Sequence, residues 1–316
     1  MSIPQVVVRA GKAALTAAGL SLAGLAVAWR GAKTLREARY YRRTTVPRKA
    51  PVVVITGGSS GLGAGLALRY AARGARLVLA ARGEARLAGV AAACAAVAPP
   101  GTPLPVVVPT DVAVEDEAVA LVASALDAFG RIDIVVLSAG VGAHALFQAT
   151  DDMSVLETLM RINFFGAVYV TKAALPHLIA GKGQIVVMSS LSGEIGLPYR
   201  AGYCASKFAV TGFFEALRME VNESDVQITI VCPPSVKTAF RDNLVLNMTS
   251  QDVAGESSGT EGDDRMPVDE CLDHVMDAID HGRRKVYFPF LAYLAVYIRP
   301  FFPELVDWNA KRKAKL

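Results

Sequence analysis

The sequence predicts an α/β fold in which helices cover both faces of a doubly wound parallel sheet. From residue 51 onward, short apolar runs such as residues 51–56 and 184–189 alternate with longer amphipathic segments. An uninterrupted apolar run is typical of a strand that is buried on both faces, as strands of parallel sheets are. Because strands and helices alternate, right-handed crossover connections between parallel strands are expected, with helices on both sides of the sheet.

In the first half of this domain, turn-forming residues separate the predicted elements. The strand 51–56 runs into glycines, and the helix 62–73 stops at Gly74. The strand 76–81 precedes the alanine-rich helix 84–97, which two prolines and a glycine terminate. The remaining elements of this half are the strand 104–108, the helix 115–129 and the strand 133–138.

The second half begins with a long apolar helix, predicted over residues 154–180. The strand 184–189 and the helix 202–221 follow it. Residues 250–264 are acidic and rich in serine and glycine, so they cannot pack a core and are expected to form a mobile loop. The other elements are the strand 227–232, the helix 268–281 and a last strand 285–288.

The charge of the chain is unevenly distributed. Residues 1–50 hold ten basic residues and one acidic residue, whereas the remainder holds 23 basic and 28 acidic residues, a net charge of −5. An acidic body excludes a nucleic-acid footprint. With 53% hydrophobic and 20% charged residues, the chain is also excluded from the disordered class. Its four cysteines form no CxxC pair, which predicts buried reduced thiols and no metal site.

The N-terminal segment is predicted to be a membrane anchor. Residues 13–29 carry no charge, which is the short end of a membrane-spanning length, and Trp29 lies at the interface position. Eight basic residues follow this run and two precede it, so the body is expected to face the cytosol. A mitochondrial transit peptide, a cleaved signal peptide and a helix lying in the interface are the alternatives.

A glycine-rich turn follows the first predicted strand. It reads Thr56-Gly57-Gly58-Ser59-Ser60-Gly61-Leu62-Gly63 and leads directly into a helix. Glycines let the backbone approach a pyrophosphate closely, and a helix N-terminus offers free N–H groups. The turn therefore predicts a dinucleotide-binding site.

A tyrosine and a lysine lie four residues apart on one predicted helix. This spacing places Tyr203 and Lys207 on the same face, and Ser190 lies thirteen residues upstream at the end of a strand. A neighbouring ammonium favours the phenolate, so we expect Lys207 to lower the pKa of Tyr203. The Ser190 hydroxyl can point into the same cleft, although a Tyr-x-x-x-Lys pair by itself is also common on solvated helix faces.

With the turn and the Tyr-x-x-x-Lys pair in this order, residues 51–240 resemble the short-chain dehydrogenase/reductase family. The resemblance implies a Rossmann fold, hydride transfer between nicotinamide and a carbonyl carbon, and a catalytic set of Asn163, Ser190, Tyr203 and Lys207. Tyr203 transfers the proton, Ser190 bonds the carbonyl oxygen, Lys207 also holds the nicotinamide ribose, and Asn163 holds a relay water. The cofactor residues that it implies, besides Tyr203 and Lys207, are Gly57, Ser59, Ser60, Gly61, Leu62, Gly63, Arg82, Asp111, Val112, Ser138, Ala139, Gly140, Pro233, Val236 and Thr238.

Two positions depart from the family pattern. Ser138 stands where the family has an asparagine that braces the sheet, so a hydrogen bond that supports the backbone is expected to be rearranged. Pro234 replaces a glycine, which stiffens the loop on the nicotinamide side because proline fixes φ and lacks an N–H. Neither change removes a proton-transfer group.

The end of the second strand predicts NADP(H) rather than NAD(H). Family members specific for NAD carry an acid there, whereas this chain has Arg82, whose guanidinium can pair with a 2′-phosphate. Ser59 and Ser60 are short enough to leave room for that phosphate. A solvated surface role for Arg82 is the alternative.

The C-terminal residues 288–303 are densely apolar and aromatic, and a basic tail follows them. Two prolines exclude one continuous helix, and short interfacial helices that contact a membrane are expected, with core burial or a subunit interface as the alternative. The predicted organisation is an anchor and basic linker over 1–50, a catalytic domain over 51–287 and a membrane-associated segment over 288–316.

An anchored enzyme with an apolar C-terminal segment resembles the lipid-handling branch of the family. That branch includes 11β-hydroxysteroid dehydrogenases, 3-ketosphinganine reductases and acyl- or alkyl-dihydroxyacetone-phosphate reductases. The resemblance implies a lipophilic ketone or alcohol as substrate, a homodimer or tetramer, and the endoplasmic reticulum as location. The C-terminal Ala314-Lys315-Leu316 leaves a peroxisomal address open. A membrane-tethered dinucleotide-binding protein without turnover is the alternative function.

Overall fold

The computed structural model describes residues 49–240, 244–247 and 265–314. The described chain forms a seven-stranded parallel sheet in the order β3-β2-β1-β4-β6-β7-β9. The strands are β1 (Val52–Thr56), β2 (Arg76–Ala81), β3 (Val106–Pro109), β4 (Ile134–Leu137), β6 (Gln184–Met188), β7 (Gln227–Cys232) and β9 (Lys285–Tyr287). The predicted Rossmann-like α/β fold is therefore confirmed.

The helices alternate with the strands. They are α1 (Gly61–Ala72), α2 (Glu84–Val97), α3 (Glu115–Phe129), α4 (Ser154–Met160), α5 (Gly166–Gly181), α6 (Ala201–Glu220), α7 (Val268–Asp280), α8 (Phe290–Ile298) and α9 (Pro303–Lys313). Two short strands, β5 (Ala143–His144) and β8 (Leu246–Asn247), pair in parallel outside the main sheet.

The helices pack on the sheet in two layers, each with its own core. On one face, α3, α5 and α6 bury residues such as Leu121, Leu178 and Phe214 against the strands. On the other face, α1, α2 and α7 bury Leu66 and Val275 among others. The central strand β1 is buried at every position, which explains its continuous run of apolar residues.

The long predicted helix is one continuous rod with an irregular middle. A π-helical turn over Arg161–Phe165 joins α4 to α5. By length and composition alone, Ser154–Gly181 could cross a membrane. Its residues Val170, Ala174 and Leu178 are completely buried, however, so this helix packs in the core of the α/β fold.

The C-terminal segment forms the two short helices that its prolines predict. The helices α8 and α9 are joined by a turn, and they bury no residue. We call them the C-terminal hairpin. Its exposed apolar side chains are Phe290, Leu291, Leu294, Tyr297, Phe301, Phe302, Leu305 and Trp308. The predicted anchor over 13–29, the predicted loop over 250–264 and the final two residues lie outside the described residues.

Candidate active site

The sheet order places a cleft at the carboxyl edge of the strands. Crossovers from β1 lead outward to β2 and β3, whereas the chain then returns to β4 on the other side of β1. Ligands of open α/β sheets bind where the strand order reverses in this way. Many of the predicted site residues follow the ends of β1, β4, β6 and β7, whereas Arg82 follows β2 and Asp111 follows β3.

The glycine-rich turn after β1 has room for backbone only. A Cβ on Gly63 would lie 2.3 Å from the carbonyl oxygen of Gly57, and a Cβ on Gly57 would lie 2.8 Å from backbone atoms of Ala139. Gly57 and Gly61 both have positive φ, which favours glycine. The N-cap residue Ser60 makes no side-chain hydrogen bond to the first turn of α1. A bare turn at an uncapped helix N-terminus fits a dinucleotide phosphate.

The segment Ser138-Ala139-Gly140 leaves β4 beside this turn. The hydroxyl of Thr56 accepts hydrogen bonds from the N–H groups of Ser138 and Ala139 at 3.1 and 3.2 Å. Thr56 therefore supports the backbone at the position where Ser138 departs from the family pattern. A Cβ on Gly140 would lie 3.1 Å from Asn163 Oδ1 and 3.7 Å from Lys207 Nζ. The backbone of Gly140 therefore lies close to both side chains.

Asn163 lies in the π-helical turn, which turns its buried amide toward the cleft. Its Oδ1 accepts from the N–H of Val141 at 2.8 Å, and its Nδ2 donates to Val141 O and to Ser206 Oγ, both at 2.9 Å. The amide thereby links the end of β4 to α6. π-bulges of this kind are frequent at functional sites.

Ser190, Tyr203 and Lys207 lie together at the end of β6 and the start of α6. The Ser190 hydroxyl shares a hydrogen bond with Tyr203 and accepts another from Ser192 N at 3.1 Å. Lys207 is buried, and its Nζ donates to Met188 O at 2.9 Å and lies 5.9 Å from the centroid of the Tyr203 ring. The helical spacing thus brings the phenol and the ammonium to one side of α6, as predicted.

The pKa of Tyr203 runs opposite to our expectation. Burial raises it to about 12, although the hydrogen bond with Ser190 and the charge of Arg200 act to lower it. Burial also lowers the pKa of Lys207 to about 8. The expected lowering of the tyrosine pKa by Lys207 is therefore not seen in this structure, where desolvation is the largest cause and the lowering causes are the Ser190 hydrogen bond and the Arg200 charge.

The loop after β7 closes the other side of the cleft. Pro233 is buried, and its carbonyl accepts from Leu191 N at 3.1 Å. Val236 forms an isolated parallel β-bridge with Met266. This bridge connects the loop that contains Pro234 to the segment just before α7. The Thr238 side chain lies 3.6 Å from the Cβ position of Gly61. Thr238 and the glycine-rich turn therefore face each other.

At the far end of the cleft, Arg82 is exposed directly after β2. A second basic residue, Arg86, lies nearby, with its guanidinium 3.4 Å from the Cβ position of Gly83. Asp111 Oδ1 accepts from Ala113 N at 3.0 Å, which fixes the turn after β3. The Val112 side chain packs in the core against Gly166, which leaves its backbone for any contact with a ligand.

The wall beside Tyr203 on the side of α4 is apolar. Val141, Val155 and Leu159 form a small buried cluster, against which the Tyr203 ring packs. Phe240 lies with its ring centroid 6.0 Å from that of Tyr203. Within the described residues, no group of three or more His, Cys, Asp or Glu side chains could hold a metal ion.

The comparisons with known proteins agree with this geometry. The family model described as short chain dehydrogenase matches residues 51–249. The chain belongs to the short-chain dehydrogenase family. It is therefore an oxidoreductase that interconverts alcohols and ketones with NAD(P), and the predicted resemblance is confirmed.

Named relatives of this short-chain dehydrogenase include plant and animal proteins. It is 36% identical over 262 residues to 11-beta-hydroxysteroid dehydrogenase A of Arachis hypogaea, covering 82% of this chain and 74% of that protein. It is 34% identical over 256 residues to dehydrogenase/reductase SDR family member 7B of Mus musculus, covering 80% and 78%. Both alignments cover at least four fifths of this chain and about three quarters of the relative.

Solved structures share the fold of this short-chain dehydrogenase. A short-chain dehydrogenase/reductase from Burkholderia phymatum in complex with NAD superposes with a TM-score of 0.72 at 24% identity, covering 83% of this chain and 96% of that one. An alcohol dehydrogenase from Thermococcus sibiricus in complex with 5-hydroxy-NADP gives 0.64 at 23% identity, covering 75% and 95%.

Several residues near the site of this short-chain dehydrogenase escaped the sequence analysis. Arg86 lies four residues after Arg82, and a second basic residue at this spacing was the sequence signal that could have identified it. Arg200 and Phe240 act on Tyr203 from either side, but no motif marks them. Glu194 bonds β9 across a long sequence separation, which no local pattern reveals.

Proposed function

We propose that this short-chain dehydrogenase is an NADP(H)-dependent enzyme that interconverts a ketone and a secondary alcohol on a lipophilic substrate. The observation that carries the proposal is the hydrogen bond between Ser190 and Tyr203 above a buried Lys207, beside an apolar wall. The names of the relatives, which describe steroid dehydrogenases, favour a steroid or a ketolipid of similar size.

In the proposed mechanism, Tyr203 donates its proton to the carbonyl oxygen during reduction and accepts it back during oxidation. Ser190 holds that oxygen by a hydrogen bond. Lys207 lies beside Tyr203 and orients its side chain. Asn163 fixes the end of β4 and offers a polar position for a proton relay. When bound, the nicotinamide cofactor supplies the hydride.

The cofactor preference rests on Arg82 and Arg86. Both follow the end of β2 closely, which supports a contact with a 2′-phosphate, and no acidic residue ends β2 to bind a ribose hydroxyl. Gly57, Ser59, Ser60, Gly61, Leu62 and Gly63 would hold the pyrophosphate, and Asp111, Val112, Ser138, Ala139 and Gly140 would line the adenosine side of the cleft. Pro233, Val236 and Thr238 would hold the nicotinamide half.

Substituting Arg82 tests this preference. Arg82→Asp is expected to weaken NADPH binding by roughly tenfold or more, since a charge-assisted contact worth about 1.5–3 kcal/mol becomes a repulsion. NADH serves as the internal control because it lacks the phosphate, and its affinity should change little. Titration of both cofactors decides the matter, and equal affinities for them in the wild type would refute the assignment.

The activity itself is tested with the full chain in detergent and NADPH. The panel contains a keto steroid, a long-chain 3-keto sphingoid base, an acyl dihydroxyacetone phosphate and a small water-soluble ketone. We expect oxidation of NADPH with at least one lipophilic ketone and little with the small one. Cofactor binding without turnover on any ketone would instead identify a dinucleotide-binding protein.

We further propose that the chain is held on a membrane. Residues 11–30 would anchor it with the body in the cytosol, at the endoplasmic reticulum, and residues 288–316 would form a separate membrane-associated segment after a catalytic domain over 51–287. The exposed aromatic side chains of the C-terminal hairpin, followed by Lys311, Arg312 and Lys313, support contact with an anionic lipid surface.

A homodimer or tetramer completes the proposal. Exposed apolar side chains on α5 and α6 support it, since Ile179, Phe208 and Met219 would otherwise meet water. Sedimentation in detergent, matched for density, measures the number of chains per particle. A monomer at micromolar concentration would refute this part alone.

A further inference from the structure

Glu194 joins the turn that carries Ser190 to the edge of the sheet. Its carboxylate accepts hydrogen bonds from the phenol of Tyr287 and from the ammonium of Lys285, each at 3.0 Å. Both partners belong to β9, which lies 91 to 93 residues further along the chain. The Cys232 thiol at the end of β7 lies 3.8 Å from the same carboxylate. One side chain thus links the turn to two neighbouring strands.

The Ser190 turn needs such a link at its far end. Its near end is fixed, because Leu191 N donates to Pro233 O at 3.1 Å and Gly193 packs tightly against Ser189, Lys207 and Thr211. Beyond Gly193, the connection to α6 holds two charged residues, Glu194 directly after the turn and Arg200 directly before the helix, and its other residues are glycine, proline, tyrosine and apolar residues. The carboxylate is therefore the polar side chain that fastens the exit of the turn to the sheet.

The need to neutralise the charge of Lys285 does not by itself explain why a carboxylate lies at position 194. Lys285 is ion-paired with a second carboxylate, that of Glu215 on α6. The Glu194 side chain is 11% exposed, whereas that of Glu215 is 45% exposed. If Lys285 needed only a counter-ion, Glu215 would provide it at a smaller desolvation cost. The distinctive property of Glu194 is its position on the Ser190 turn.

We propose that Glu194 is a positioning residue that holds the Ser190 turn against β9 and so keeps the Ser190 hydroxyl aligned with the phenol of Tyr203. The inference rests on the proposed function, because it assigns Glu194 an effect that passes through Ser190. It predicts that the loss of Glu194 slows the chemical step without weakening cofactor binding.

The experiment compares Glu194→Ala with the matched control Glu215→Ala, each in the wild-type and Ser190→Ala backgrounds of the full chain. The lipophilic ketone turned over fastest in the panel is the substrate. Glu194→Ala is expected to lower kcat by about tenfold with the NADPH Kd within about twofold, and Glu194→Gln, whose amide oxygen still accepts, should restore most of the rate. Glu215→Ala should stay within about twofold of wild type.

The double variants separate positioning from general destabilisation. In the Ser190→Ala background, Glu194→Ala should cost less than about twofold, since residues that act through one another are not additive. Equal losses in Glu194→Ala and Glu215→Ala, or a full tenfold loss in the Ser190→Ala background, would overturn the proposal. Should Glu194→Ala fail to fold, Tyr287→Phe removes one of the two hydrogen bonds and must meet the same criterion, with a loss of about threefold that vanishes without Ser190.

The failure of the proposed function reads differently. Wild-type chain that turns over no ketone, or Ser190→Ala with wild-type activity, would contradict the role of Ser190 itself. Those outcomes appear before any Glu194 variant is measured, so a failure of the proposed function is distinguishable from a failure of the Glu194 proposal.

Discussion

At the scale of single residues, Tyr203 combines a transferable proton with an environment that favours its neutral form. Burial raises its pKa to about 12, so the phenol is protonated throughout the neutral range and available to a carbonyl oxygen. Ser190 and Arg200 oppose this effect and favour the anion that proton transfer leaves behind. The side chain therefore has the properties of a general acid that also tolerates the charged state.

Tyr203→Phe is expected to abolish turnover while cofactor binding persists. The substitution removes the proton donor but keeps the ring that packs against Val155 and Leu159, and the loss should reach at least about 10²–10⁴ in kcat. Tyr169→Phe on α5 is the control for loss of a phenol outside the cleft. Wild-type-like activity of purified Tyr203→Phe would remove Tyr203 from the mechanism.

Lys207 is expected to cost stability at neutral pH. Its pKa is about 8 in the folded chain against 10.5 ordinarily. Between these values the unfolded chain binds a proton that the folded chain lacks, so the stability of the wild type rises with pH across this window. Below it, the folded chain carries the full cost of the buried charge.

Replacing Lys207 by an uncharged residue tests the sign of this pH dependence of stability. At pH 7, Lys207→Met should raise the free energy of unfolding by on the order of 1–2 kcal/mol, after allowing for the lost hydrogen bond to Met188 O, and the gain should shrink toward pH 10. Urea unfolding at several pH values provides the measurement, with the inactive Tyr203→Phe as a reference. A gain that grows with pH would contradict the burial argument.

The spacing of residues predicted which side chains would meet only where the contact is local. Tyr203 and Lys207 lie on one helix, so their proximity follows from helical geometry. Glu194, by contrast, meets Lys285 across 91 residues, a contact that depends on β9 pairing beside β7. The direction of the Tyr203 pKa shift could not be predicted from the sequence either, because it depends on how far the fold removes water from the phenol.

At the scale of elements, the turn between β1 and α1 is the segment with the least tolerance for change. Its backbone lies against itself and against the end of β4, and it does so only because Gly57 and Gly63 lack a Cβ. Alternation of apolar strands and amphipathic helices predicted this turn and all seven strands of the main sheet. Boundaries moved by a residue or two, as in β3, which begins at Val106.

Gly63→Ala is expected to distort the turn and weaken NADPH binding by at least about tenfold, because its Cβ would lie 2.3 Å from a carbonyl oxygen that belongs to the backbone. Gly89→Ala in α2 is the matched control, since nothing lies within 4 Å of that Cβ position. The control should gain about 0.5–1 kcal/mol of stability from helix propensity. Cofactor titration and thermal unfolding measure both effects, and normal NADPH affinity of Gly63→Ala would contradict the close approach.

Two elements could not be predicted from periodicity. The π-helical turn over Arg161–Phe165 inserts extra backbone within an otherwise regular apolar pattern, and its effect on Asn163 is visible only in three dimensions. The pairing of β5 with β8 joins residues about a hundred positions apart through segments too short to show alternation. Both features lie beside the cleft, where local rules are most often broken.

At the scale of the whole molecule, the described chain ends in the C-terminal hairpin, which contributes no buried residue to the core. In α8 no residue is buried, although all nine of its residues are apolar or aromatic. Where the hairpin leaves β9, the rings of Tyr293 and Tyr297 stack on each other and the ring of Tyr287 contacts both of them edge-on. The hairpin is therefore attached to the sheet at its base and exposed beyond it.

A tryptophan reports where the exposed part of the hairpin lies. Trp29→Phe leaves Trp308 as the single tryptophan of the chain, and lipids with brominated acyl chains quench a tryptophan that enters the bilayer. We expect strong quenching in vesicles that contain phosphatidylserine, and weaker quenching when Phe301→Ser and Phe302→Ser are added. Leu104→Ser, which removes an exposed leucine elsewhere, should have no effect. Unquenched Trp308 in the reconstituted chain would contradict the membrane contact.

The state of the four cysteines has a practical consequence for mapping orientation. All four are free and buried, and burial raises the pKa of the Cys94, Cys232 and Cys271 thiols. The thiolate is the form that reacts, so the folded native chain should resist a membrane-impermeant maleimide. A single cysteine introduced at an exposed position, such as Leu104→Cys, then becomes the one labelled site without any native thiol being removed. Its labelling in intact vesicles, compared with opened ones, reads directly which side of the bilayer holds the dehydrogenase.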